Sequence, residues 1–163
     1  MLTTAQSQAI KAAILADPVL AAYPMTSGGS YSIAEALNAE ASPAFVVWRT
    51  SVPQDEITQN GFTWTDVDNL TIGKARIWEW LFLNESRSMN PSKANVRAGI
   101  VECWSGTAGK LAVQASVFSH CKRNATRAEK ILATGTGSDA SPGLMSFEGS
   151  LSPDDVQVAR ELP

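Results

Sequence analysis

Histidine occurs once in this chain of 163 residues and cysteine twice, and no apolar run reaches the length that crosses a bilayer. Each scarcity closes a route to function. With His120 as the only imidazole, any Ser-His-Asp or Cys-His scheme must pass through it. Its neighbours Ser119 and Cys121 leave a helix on different faces, so His120 reads as a helix-surface or interface residue. Cys103 and Cys121 lie in apolar helical stretches and read as buried free thiols of a reducing compartment. No paired-ligand spacing joins them to His120 around zinc, and the expectation is that the chain holds no metal and no cofactor. Lys11 and Asp17 interrupt the first apolar run, so no signal peptide is expected, and synthesis is assigned to the cytoplasm.

Two further patterns have structural readings. The run Gly135-Thr136-Gly137-Ser138 follows a helix instead of a strand. It lacks the lysine and spacing of a Walker loop and the third glycine of a dinucleotide loop, so it reads as a connection. Asp154 and Asp155 stand where a helix starts, at its positive dipole end, and read as capping residues instead of a catalytic pair. So little is left for chemistry that the chain is expected not to be an enzyme.

What the chain does have is segregated charge within a net of −3. Residues 1–70 hold two basic against seven acidic side chains, residues 71–130 ten against four, and residues 131–163 one against five. Acidic ends and a basic middle suggest surfaces of opposite sign that join proteins, copies of this chain included. The densest cations are Lys110, Lys122, Arg123, Arg127 and Lys130. They read as a solvated face, as a surface for an acidic patch on another subunit, or as phosphate contacts.

Periodicity and capping predict one mostly helical α+β domain spanning 1–163, a helical bundle with a short β element and an extended loop or arm. A helix is expected over 3–16 from a threonine N-cap, broken by Asp17-Pro18. Gly28-Gly29 reads as a flexible link, with a capping box at Ser32 and Glu35 opening the next helix. Residues 45–52 are β-branched or aromatic and predict a strand. Pro53 suits the first position of a helix over 53–60 that Gly61 closes. The strongest apolar signal, residues 70–83, predicts either the central helix of the domain or a helix with one face left for a partner subunit. A helical hairpin follows, then a second capping box at Thr126 and Glu129, and a last helix begins at Ser152. Residues 135–147 form the arm: the loop is long for a compact domain, and Leu144, Met145 and Phe147 are expected to lie on an adjacent subunit.

Several blocks resemble small virion proteins of the head and neck of tailed bacteriophages. They are Val47-Trp48-Arg49-Thr50, the run Val67-Asp68-Asn69-Leu70 through Ala75-Arg76-Ile77-Trp78-Glu79-Trp80, Asn90-Pro91-Ser92-Lys93, Ala125-Thr126-Arg127-Ala128-Glu129-Lys130 and Phe147-Glu148-Gly149. The resemblance implies a structural protein of the virion, foremost a head-to-tail connector or adaptor forming a homo-oligomeric ring under the portal protein and touching other neck or tail proteins. It carries no catalytic motif. A capsid-associated or tail-terminating protein is the variant within it. The rival is a DNA-associated protein that brings the basic 110–130 segment to packaged DNA, and a small enzyme comes third. No membrane partner is expected.

Overall fold

The structure, a computed structural model, describes residues 1–60 and 62–163. Among the described residues the chain is 53% helical, with ten helices and only short two-stranded sheets, which makes it a mostly helical α+β fold. The helices and strands follow in chain order. The first are α1 (Thr4–Ala16), α2 (Pro18–Ala21), α3 (Ser27–Asn38), β1 (Val46–Trp48), β2 (Val52–Pro53), α4 (Gln54–Gln59), α5 (Trp64–Asp68) and α6 (Ile72–Trp80). After them come β3 (Ser88–Met89), α7 (Ala94–Cys103), α8 (Ala108–His120), β4 (Lys122–Asn124), α9 (Arg127–Leu132), β5 (Ala133–Thr134), β6 (Leu144–Met145) and α10 (Pro153–Glu161). Expected as one domain, the chain divides into two compact units: residues 1–47 with 124–163, and residues 48–123 between them.

The first unit is built from capped helices. Thr3 and Gln6, Thr126 and Glu129, and Ser152 and Asp155 form capping boxes on α1, α9 and α10, each satisfying backbone N–H groups that a helix start leaves open. Helix α10 packs on α3 and α1, and α1 on α9. Ile10, Ile14, Ile33, Leu37, Leu132 and Val156 fill the space between them. Helix α3 starts at Ser27 on a Thr26 cap, five residues before the expected capping box, and so absorbs Gly28-Gly29. The reason is steric: a Cβ on Gly29 would stand 2.1 Å from the Pro24 carbonyl oxygen, so this glycine admits a close backbone approach instead of supplying flexibility.

The expected arm folds back on its own unit. Strands β5 and β6 pair antiparallel, Ala133 with Met145 and Thr134 with Leu144. The loop between them clasps the end of the 41–47 segment: the Val46 N–H donates to the Gly137 carbonyl at 2.7 Å, and the Gly143 N–H donates to the Val46 carbonyl at 2.8 Å. The Phe45 ring fills the space where Gly137 and Gly143 would carry a Cβ, at 2.1 and 2.6 Å. Beyond β6, Ser146 Oγ donates to the Leu132 carbonyl at 2.6 Å, Phe147 packs against the core, and the Gly149 N–H donates to buried Glu129 at 3.1 Å. Only Leu144 of the three expected arm residues is exposed.

The second unit has its own core of Ile57, Phe62, Trp78, Phe82, Ile100 and Trp104, closed by Val113 and Val117 of α8. Phe62, Trp78 and Trp104 meet with ring centroids 5.3–5.8 Å apart, stacked or edge-on, as aromatic quadrupoles prefer. The expected strand over 45–52 is interrupted at Arg49–Ser51, because Arg49 turns its backbone N–H to the Cys121 carbonyl at 2.9 Å and its guanidinium to Glu56. Pro53 caps α4 from outside the helix instead of occupying its first position. Gly61, expected to close that helix, lies outside the described residues. Of the expected 70–83 helix, residues 72–80 are helical, capped by the Thr71 hydroxyl, and only Trp78 within it is fully buried. Ile77 and Leu81 are half-buried against α7, where Gly99 lets them come close: a Cβ there would stand 3.1 Å from a Leu81 methyl.

Candidate functional site

The residues with the greatest chemical reach are held in structural roles. Arg49 forms a two-pronged ion pair with Glu56, one arm at 2.9 Å, and donates to the His120 carbonyl at 3.0 Å. The His120 ring nitrogens lie 3.3 Å from the Asn60 carbonyl and 3.9 Å from Glu56. This polar group ties α4 to the end of α8. The Arg49 guanidinium hydrogen-bonded to it holds the Glu56 carboxyl below the usual carboxylate range. Neither the Ser119 hydroxyl nor the Cys121 thiol joins the group, since Ser119 Oγ donates to the Ser116 carbonyl at 2.7 Å and the Cys121 thiol is buried. Burial pushes the Cys121 thiol up to about 12 and the Cys103 thiol up to about 11, so both stay protonated and unreactive. Among the described residues no three His, Cys, Asp or Glu side chains stand together as metal ligands.

The basic group is split. Lys110, Lys122 and Arg123 belong to the second unit, Arg127 and Lys130 to the first. Lys110 Nζ donates to the Asn69 carbonyl at 3.1 Å, and Lys122 Nζ stands 5.7 Å from the centre of the Trp48 ring, which also meets the Arg97 guanidinium at 5.0 Å. Arg127 pairs with Asp17 at 2.8 Å, and Lys130 Nζ donates to the Pro43 carbonyl at 3.1 Å. All five are half-buried. The glycine run closes on itself through Thr136 Oγ1, which donates to the Ser141 carbonyl at 3.0 Å. Asp155 completes the α10 cap, and Asp154 is exposed beside it.

The surface the sequence left undecided is on α6. Ile72, Arg76 and Trp80 succeed one another every four residues, with Leu83 three further on, so they follow one side of the helix and its extension. All are exposed: Ile72 by 77%, Trp80 by 66% and Leu83 by 78%. Trp78 and Phe82, offset from them around the helix, are buried. Helix α6 therefore serves its unit's core with one face and leaves the other uncovered. Apolar periodicity showed that both faces were rich in large side chains; which of the two went inward depended on where α7 packs, which no local signal records.

The first unit carries a counterpart that sequence reasoning missed. Tyr31 and Glu35, one turn apart on α3, are exposed beside an open groove of about 400 Å³. Ala34, Asn38, Ala39, Leu151 and Pro153 line it as well. Asn38 holds the far wall by exchanging two hydrogen bonds with the Leu151 backbone, at 2.8 and 2.9 Å. One acid, Glu35, thus borders a groove whose lining includes the small apolar Ala34, Ala39 and Pro153. The pairing of residues 113 apart in sequence makes it invisible to local pattern. No helix among the described residues is long and apolar enough to cross a membrane. No known protein family, no curated protein and no solved structure matches this chain.

Proposed function

We propose that this chain is a non-enzymatic structural component of a tailed-phage virion, a head-to-tail connector or adaptor that forms a homo-oligomeric ring between portal and tail after synthesis in the host cytoplasm. The observation that carries the reading is the uncovered side of α6, where Ile72, Trp80 and Leu83 stand 66–78% exposed. Large aligned apolar side chains in water on a folded unit mark a surface that another protein covers. The resemblance of the blocks from Val47 to Gly149 to head and neck proteins supplies the setting. The engagement of His120, Cys103 and Cys121 in internal contacts supports assembly over catalysis.

The test is made on particles of the phage that encodes the chain. Quantitative mass spectrometry of purified virions should find it at a fixed, low copy number, and removing its gene should leave filled heads and separate tails. Joined, infectious particles without the chain would overturn the proposal. A DNA-associated protein of the same particle is the second reading, favoured by the two cations set over the Trp48 ring. It is weakened because Lys110, Arg127 and Lys130 are already engaged within their own units. Binding of purified chain to duplex DNA that falls steeply with added salt would favour it.

A further inference from the structure

The two units differ in sign. The first holds nine acidic against four basic side chains and the second seven against nine, giving −5 and +2. The uncovered surfaces each offer a charge that the other can pair, with Glu79 also exposed beside Trp80 on α6. The α6 stripe places exposed Arg76 between Ile72 and Trp80. The α3 groove has exposed Glu35 and the exposed Tyr31 ring in its wall and alanines in its lining. Of the other exposed apolar side chains of the first unit, Leu15 and Met25 are flanked by Lys11 and Arg160 and would meet Arg76 with like charge.

We infer that the occupant of the α6 stripe is a second copy of this chain, which receives Trp80 in its α3 groove with Arg76 set against Glu35. Because the two surfaces differ, the contact is heterologous: each copy offers its stripe to one neighbour and its groove to another, and repetition closes a ring or runs into a filament. An isologous dimer would set stripe on stripe and bring the Arg76 side chains toward one another. The inference rests on the connector reading for the ring, but the contact itself stands on the two surfaces.

The test uses the full chain with one added surface cysteine per variant, the native thiols being buried. Glu79→Cys lies beside Trp80, and Ala39→Cys lies in the groove lining; both positions are exposed. Purified separately, mixed at the highest soluble concentration and treated with a mild oxidant, they should give the mixed disulfide at least about tenfold over either self-disulfide, a preference near 1.4 kcal/mol. Trp80→Ala in the Glu79→Cys chain should remove the mixed product. Arg76→Glu should remove it too, and Glu35→Arg in the Ala39→Cys chain should restore it, with circular dichroism and denaturant midpoints verifying that each variant is folded. Folded variants that give no mixed product, or mainly the Glu79→Cys self-disulfide, would overturn the contact. Incorporation into particles is scored separately. Particles that contain the chain without the mixed product remove the contact and keep the connector, and the reverse result keeps the contact and removes the connector.

Discussion

Cys121 and His120 are neighbours in sequence at the end of α8, and their surroundings decide what each can do. The thiol faces the core, with its pKa pushed to about 12, while the imidazole sits over the Asn60 carbonyl. An alkylating reagent at pH 8 should therefore modify neither Cys121 nor Cys103 in the native chain, and both once denaturant unfolds it; labelling followed by mass spectrometry checks this. Glu56 supplies a second prediction. Its carboxyl, paired with Arg49, stays ionised in the folded state below its ordinary pKa of 4.5. The pair's contribution is then fully present above that value and is lost as pH falls through the lower, folded-state pKa. Glu56→Gln should lower the denaturant midpoint at neutral pH, and the gap from the parent should close on acidification below the ordinary carboxylate range. A gap that stays constant down to low pH would mean that the pair adds nothing beyond packing.

Helix α6 separates burial from hydrophobicity within three residues. Trp78 is 6% exposed amid Phe62, Phe82 and Trp104, so Trp78→Ala should cost about 3–5 kcal/mol. Trp80→Ala, on the uncovered side, should change stability by under about 0.5 kcal/mol in the isolated chain. Denaturant unfolding of the two variants gives the comparison, and equal losses would mean that both faces are covered. In α3, Gly29→Ala puts a methyl against the Pro24 carbonyl and should cost about 1–3 kcal/mol, although alanine is the better helix former. The same measurement decides it. These elements also mark how far local pattern reaches. The caps of α1, α9 and α10 were legible because a cap is settled by residues three apart. The start of α3 and the inward face of α6 were not, since the first depends on Gly29 meeting Pro24 and the second on Ile77 and Leu81 meeting Gly99 from another helix. The 135–147 segment was hidden for a like reason: its glycines are placed for the Phe45 ring, 90 or more residues earlier in the chain.

For the molecule as a whole, charge along the chain follows the division into units only in part: the acidic ends fold together, but Arg127 and Lys130 of the basic middle go with them, and Asp55, Glu56, Asp66 and Asp68 bring the unit between them down to +2. The block pattern was legible in the sequence; the insertion of one unit into the other was not, because it needs the two ends of the first unit to meet. They do meet. The Ala125 N–H donates to the Phe45 carbonyl at 2.8 Å, and the Ala41 N–H donates to the Ala125 carbonyl at 3.0 Å. An insertion between ends held that close can be removed at small entropic cost, since a short linker closes the gap. Each unit also has a separate buried cluster, which is what an independently folding domain requires. A chain of residues 1–47 joined to 124–163 through a short glycine-serine linker should fold, and so should residues 48–123 alone. Each should show helical circular dichroism and a single cooperative unfolding transition. If either fragment is unfolded in water, its core depends on the other unit, and the single domain expected from the length of the chain is the better description.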